Sequence, residues 1–194
     1  MNKVIIIIGL PGSGKTTFIH QFVSNKSFKE YLDWGRELQI NPKGEVLTNF
    51  DIDDRFEDLI QTLKNNKNVI LDGSGFCDYR FLCEAEYYLN LNFPNIQIEK
   101  YYFENNPKDA TANVLYRDAI NGGYWKRDKN NNLLYIGSHF ISEGPNSGRR
   151  YYEVIIEDLN KLSKNYIIPT KYTPLKIQVQ DEKFYQGWQA LMRE

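Results

Sequence analysis

Residues 4–17 read Val-Ile-Ile-Ile-Ile-Gly-Leu-Pro-Gly-Ser-Gly-Lys-Thr-Thr, and no other stretch limits the possible folds so strongly. Five consecutive β-branched residues suit a strand buried on both faces. A glycine-rich turn follows, and after it Phe18, Ile19, Phe22 and Val23 recur at helical spacing. Gly9, Gly14, Lys15 and Thr16 fill every fixed position of the pattern G-x-x-x-x-G-K-[ST]. Glycines at 9, 12 and 14 permit positive φ angles and close backbone approach, so that N–H groups of the loop can ring a phosphate. The helix behind the loop turns its positive end toward the same phosphates. The segment Gly9, Leu10, Pro11, Gly12, Ser13, Gly14, Lys15, Thr16 and Thr17 is therefore expected to bind a nucleoside triphosphate. Lys15 would reach the β and γ oxygens as a point charge, and the Thr16 hydroxyl would complete the coordination of Mg²⁺.

The rest of the chain repeats the strand-then-helix texture. Val46–Ile52 reads as a second strand, and Asp53 caps a helix carrying Phe56, Leu59, Ile60 and Leu63. Val69-Ile70-Leu71-Asp72 is another apolar strand, and its terminal carboxylate would sit at the sheet edge where Mg²⁺ is held, directly or through water. A helix over Asp78–Asn90, a strand over Ile96–Phe103 and a helix opened by Pro107 with Arg117 near its end come next. The texture changes over 121–148, where Tyr124–Lys129 and Leu133–Phe140 read as two strands joined by a turn at 128–132. A polar segment of this length inside a compact domain is expected to be a lid or a substrate-binding excursion. Arg149-Arg150 leads into a long helix, Leu175, Ile177 and Val179 form a last alternating strand, and Glu182–Arg193 a terminal helix. Alternating βα units predict an α/β fold of the P-loop NTPase kind: one domain over 1–194, a parallel sheet of about five strands with helices on both faces, and the 121–148 insertion.

Bulk properties narrow the partners. With 194 residues the chain can bury roughly two thirds of its unfolded surface. Lys and Arg number 24 against 25 Asp and Glu, so no global basic field points to nucleic acid and any such site must be a local patch. The two cysteines, Cys77 and Cys83, have no His nearby to complete a zinc set and fit a reducing compartment. The apolar run Val4–Ile8 is too short for a signal peptide or a membrane span, so the expectation is a cytoplasmic protein, in the host cytoplasm if the source is viral, with no membrane association and no obligate protein partner. No Asn-Lys-x-Asp is present to read guanine, which lowers a GTPase reading, and the length leaves no room for an oligomer-forming domain of a remodelling ATPase. What remains is the layout of a small kinase, in which positioning and charge neutralisation do the catalysis.

The motifs then converge on one group. Gly-Leu-Pro-Gly-Ser-Gly-Lys-Thr-Thr at 9–17, Asp-Ile-Asp-Asp at 51–54, Ile-Leu-Asp-Gly-Ser-Gly-Phe at 70–76 followed by Arg80, Tyr-Phe-Glu-Asn-Asn-Pro at 102–107 followed by Asn113 and Arg117, and Ser-Lys-Asn-Tyr-Ile-Ile-Pro at 163–169 resemble the polynucleotide kinase branch of P-loop kinases. The similarity is greatest to small phage-encoded members, including those that phosphorylate hydroxymethylated bases in DNA, and covers roughly 3–120 and 149–180. It implies an ATP- and Mg²⁺-dependent kinase acting on a hydroxyl of a nucleic acid, either a 5′ end or a hydroxymethylated base. It implies Asp53, with Asp51 as the rival, as the carboxylate that accepts the hydroxyl proton, and Arg117 as the lid arginine that steadies the transferring group. The chain departs from the family in having Phe56 where an arginine often follows the base, the nearby arginine being Arg55. The alternatives are a kinase of a free nucleoside, nucleotide or small metabolite, and a nucleotide-dependent switch protein.

Overall fold

In the computed structural model, Val4–Ile8 lose all contact with solvent. They form the centre of strand β1 (Lys3–Ile8), which has a neighbour on each side. The structure describes residues 3–24, 59–60, 63–64, 69–72, 74–131, 133–142 and 144–191. The expected strand at 46–52 and the carboxylates Asp51 and Asp53 lie outside the described residues.

Further strands are β2 (Val69–Asp72), β3 (Gln97–Phe103) and β6 (Thr173–Leu175), and all of them run parallel to β1 in the order β2-β1-β3-β6. The helices in order are α1 (Lys15–Ser24), α2 (Tyr79–Asn92), α3 (Pro107–Ile120), α4 (Tyr151–Lys164) and α5 (Glu182–Leu191). A 3₁₀ turn, Ser74–Cys77, precedes α2. β4 (Tyr124–Arg127) and β5 (Leu133–Ile136) make the expected antiparallel hairpin, with Tyr124 opposite Ile136 and Arg127 opposite Leu133. Residues 59–60 and 63–64 are helical, with Leu59 and Leu63 buried as their spacing requires. The α/β class with a parallel sheet follows directly from this topology.

The chain divides into two compact units. The first, Met1–Gly9, Gly14–Asn105 and Asn165–Lys176, contains the whole parallel sheet with α1 and α2. Its order places β2 on one side of β1 and β3 on the other, so the sequence order of the described strands reverses between β1 and β3. Such a switch point is where open parallel sheets bind ligands. The second unit, Leu10–Ser13, Asn106–Lys164 and Ile177–Glu194, contains α3, the hairpin, α4 and α5. Its core has Ala112 and Leu115 at the centre, packed by Tyr135, Tyr152, Ile156, Phe184 and Tyr185.

Sequence periodicity misplaces one strand. Leu175, Ile177 and Val179 alternate, but β6 stops at Leu175. The backbone at 178 and 180 is engaged elsewhere: Gln178 O accepts from Asn113 Nδ2 at 2.9 Å, and Gln180 N–H donates to Asn113 Oδ1 at 2.9 Å. Backbone groups committed to a side chain cannot join a ladder. Pro174, which has no N–H to donate, is tolerated within this short strand. Cys77 lies in the 3₁₀ turn and Cys83 in α2, whose start Asp78 caps by accepting from Arg80 N–H at 2.8 Å. Among the described residues, no helix is long and apolar enough to cross a membrane.

Candidate active site

The glycine-rich turn has the backbone that its sequence demands. Gly12 and Gly14 stand at φ +84° and +100°, in the region that side chains disfavour. Ser13 N–H closes the turn on Leu10 O at 3.0 Å, and Phe18 N–H begins the α1 ladder on Gly14 O at 2.9 Å. Lys15 is therefore the first helical residue, and the N–H groups at the start of α1 are of the kind that have no partner within the helix. Lys15 Nζ donates to Gly9 O at 2.9 Å, which folds the side chain back along the loop. Thr16 and Thr17 are exposed on the first turn of α1. Lys15 supplies a cation at the loop, and the exposed Thr16 carries a hydroxyl of the kind that would ligate a phosphate-bound Mg²⁺. Ser13 Oγ is buried and has no hydrogen-bond partner among the described residues, a polar atom left to meet a ligand oxygen. These features fit a bound triphosphate.

Two constraints meet at Gly12 within the second unit. A Cβ there would stand 2.2 Å from Ala110 O and 3.0 Å from Val114 Cγ2, so α3 packs directly on the loop backbone. Asn113, fully buried, donates through Nδ2 to Gly12 O at 3.0 Å while the same group reaches Gln178 O and Oδ1 accepts from Gln180 N–H. All three hydrogen-bonding positions used on that amide tie the loop to the 177–180 segment. Asn113 is quoted among the family motifs without a role, and this clamp is the role that sequence reasoning missed. A signal existed: an amide between Ala112 and Val114 in a helix interior is a poor helix former that needs a local reason.

Arg117, the expected lid arginine, is exposed in the last turn of α3, four residues after Asn113 and on the same helix face. It thus stands about 6 Å along the helix from the residue that holds Gly12. Asp118 turns the other way and is buried, with Oδ2 accepting from Tyr135 O–H at 2.8 Å and Ser138 N–H at 2.9 Å, and Oδ1 accepting from Ser138 O–H at 2.7 Å. This carboxylate pins the β4–β5 hairpin to the end of α3. Tyr135 is consequently held far above its ordinary pKa, first by burial and then by its hydrogen bond to Asp118 and that carboxylate's charge.

In the first unit, Asp72 ends β2 half-buried, with Ile7 as its register partner two residues before Gly9. Lys15 and Asp72 both act on the buried thiol of Cys77. Burial pushes that thiol up to about 12, against the Lys15 charge and a hydrogen bond from the Gly9 backbone, while Asp72 adds to the rise. Cys77 therefore stays protonated and unreactive at neutral pH. Tyr166, which donates to Phe103 O at 2.7 Å, is likewise raised, mainly by burial and then by the neighbouring Cys77. Gly9, Gly14, Lys15, Thr16, Thr17 and Asp72 thus belong to one unit, and Leu10, Pro11, Gly12, Ser13 and Arg117 to the other. Asp51 and Asp53 lie outside the described residues. No group of three or more His, Cys, Asp or Glu that would hold a metal by itself occurs among the described residues, and a metal held by Thr16 and phosphate oxygens needs none.

No family model and no curated protein matches the chain. Among solved structures it is similar to a gluconokinase from Sinorhizobium meliloti 1021, at 11% identity over 99% of this chain and 92% of that one, with a TM-score of 0.49.

Proposed function

We propose that this protein is an ATP-dependent kinase that transfers the γ-phosphate to a hydroxyl of a nucleic acid, either a 5′ end or a hydroxymethylated base. The observation that carries the kinase reading is the loop itself: two glycines at positive φ followed by Lys15 at the head of α1, at the sheet's switch point. The nucleic-acid acceptor is supported by the motifs at 51–54, 70–76 and 102–117 that resemble the polynucleotide kinase branch.

In the reaction the acceptor oxygen bonds to the γ-phosphorus, the bond from that phosphorus to the β–γ bridging oxygen breaks, and ADP departs. Asp53, or in its place Asp51, takes the hydroxyl proton. Lys15 leaves Gly9 O to meet the β and γ oxygens, and Arg117 balances charge on the transferring group. Thr16 and Asp72 would hold Mg²⁺, which would supply further charge neutralisation. The residues of the loop bind and orient; they form no covalent bond.

The test is incubation with γ-labelled ATP and a panel of 5′-hydroxyl DNA, 5′-hydroxyl RNA, hydroxymethyluracil DNA, nucleosides and small polyols. Label on an oligonucleotide that vanishes with Lys15→Ala supports the reading. Label only on monomeric acceptors selects the small-molecule kinase instead, and no transfer to any acceptor selects the switch.

A further inference from the structure

Beyond the hairpin, the backbone of 139–141 lies antiparallel to 149–151. Ile141 N–H donates to Arg149 O at 2.9 Å, Tyr151 N–H to His139 O at 3.3 Å, and Phe140 bridges Arg150. Gly148 N–H closes the intervening loop on Ile141 O at 2.9 Å. This short ladder sets two ring pairs. The His139 and Tyr151 rings stack with centroids 4.9 Å apart and planes 24° from parallel. The Arg150 guanidinium carbon lies 4.0 Å over the Phe140 ring, and Arg150 also donates to Gly137 O. Both aromatic members remain open to solvent, Phe140 at 56% and Tyr151 at 48%.

Rings of this size are normally spent on a core, and a scattered exposed one needs no explanation. These two are different in being held in place by backbone hydrogen bonds while keeping about half their surface wet. The charge around them is also unlike the rest of the chain. Residues 121–150 carry Lys126, Arg127, Lys129, Arg149 and Arg150 against two acidic residues, in a protein whose net charge is −1. Arg149 is taken by Glu157 at 2.5 Å, but Lys126, Arg127 and Lys129 are exposed on the hairpin and the turn after β4. Solvent-open rings at 139–151 and exposed cations at 126–129, at the turn end of the hairpin where Arg127 pairs with Leu133, give one segment both contacts that an unpaired nucleic-acid strand uses along its length: bases stack on rings and on guanidinium planes, and phosphates lie against lysine and arginine. A small apolar metabolite has no use for the cations, and an apolar protein partner would not favour this charge.

We infer that the 121–151 segment binds single-stranded nucleic acid, an unpaired base stacking on Tyr151 on one side of the short ladder or on Phe140 on the other while phosphates of the same strand meet the hairpin cations. This rests on the nucleic-acid acceptor reading above and names the surface that would select it. Neighbours in an extended segment project to opposite sides, so the two ring pairs are tested separately.

The experiment is fluorescence anisotropy of a short labelled oligothymidylate titrated with the full chain in the absence of ATP. The wild type should bind with an affinity that falls steeply with salt. Tyr151→Ala, Phe140→Ala, or both, should raise the Kd about tenfold or more, the scale of one lost base stack, whereas Tyr151→Trp should keep the affinity. Retention by the Trp variant separates stacking from damage to the fold. The inference is overturned if both alanine variants bind like the wild type, if binding is insensitive to salt, or if a mononucleotide competes on equal terms with the strand. Lys15→Ala distinguishes this outcome from failure of the kinase reading, because it should bind the strand normally yet transfer nothing. A wild type that binds the strand through these rings but labels only monomers leaves the platform standing and removes the nucleic-acid acceptor.

Discussion

The Asn113 side chain donates to the carbonyl of Gly12 at 3.0 Å across 101 residues of sequence. That bond ties residues 10–13 of the loop to helix α3 within the second unit. Removing it should be felt twice. Asn113→Ala leaves Gly12 O, Gln178 O and Gln180 N–H without their partner in a buried site, and should lower stability by about 2–4 kcal/mol in urea unfolding. It should also raise the Kd for ATP, read by calorimetry under conditions where the variant is folded. Asn113→Asp should be no better than alanine, since an oxygen would then face two carbonyl oxygens. If Asn113→Asp unfolds like the wild type, the clamp has been misread.

Gly12 and Gly148 separate two penalties that glycine substitutions usually mix. Both have positive φ, but a Cβ on Gly12 meets Ala110 O at 2.2 Å whereas one on Gly148 meets nothing within 4 Å. Gly148→Ala should therefore lose only the conformational term, about 1–2 kcal/mol. Gly12→Ala must displace α3 or the loop, and should abolish ATP binding as well as destabilise by more than its counterpart. Equal melting temperatures for the two variants would refute this.

Asp118 is predicted to be worth more than its position in a polar helix end suggests. Asp118→Ala strands Tyr135 O–H, Ser138 N–H and Ser138 O–H, and a loss of roughly 2–4 kcal/mol is expected. Because these partners are the attachment of the β4–β5 hairpin, amide exchange at Trp125–Arg127 and Leu134–Ile136 should speed up more than in α2. Uniform acceleration across the chain would argue against a local pin.

Alkaline pH should weaken the fold in a defined window. Burial raises Cys77 from 9.0 to about 12, and Tyr102 from 10.0 to about 12 through burial and then the charge of Tyr172. The folded state thus holds these protons at pH values where the unfolded chain releases them. Stability is complete below about pH 9 and is lost progressively as pH rises through 9–12. Urea midpoints at neutral pH and at two alkaline values should show the fall, and Cys77→Ala should make it shallower. The same burial protects the thiol: with iodoacetamide at mildly alkaline pH, the half-buried Cys83 should be labelled and Cys77 only after unfolding.

Much of the fold is local chemistry and was readable as such. The β-branched run of β1, the apolar Val69–Leu71, the Asn106 and Pro107 start of α3 and the turn after Arg127 all appear where their residue types place them. The last strand was not readable, because the alternation Leu175, Ile177, Val179 is genuine while the backbone beyond Leu175 is claimed by Asn113. Asp51 and Asp53, proposed above as the proton acceptor, lie outside the described residues.

Fourteen contiguous residues determined that this protein presents a phosphate loop, since strand propensity, glycine φ freedom and helical spacing all act over a few residues. Only the tertiary structure decided what holds that loop and what surrounds it. Asn113 on Gly12, Asp118 under Ser138, Cys77 beside Gly9 and Tyr166, and the ring pairs at 139–151 are pairings between distant or oppositely patterned residues. A hydrogen bond or a ring stack of that kind depends on where chain closure brings two side chains, and no local propensity records it.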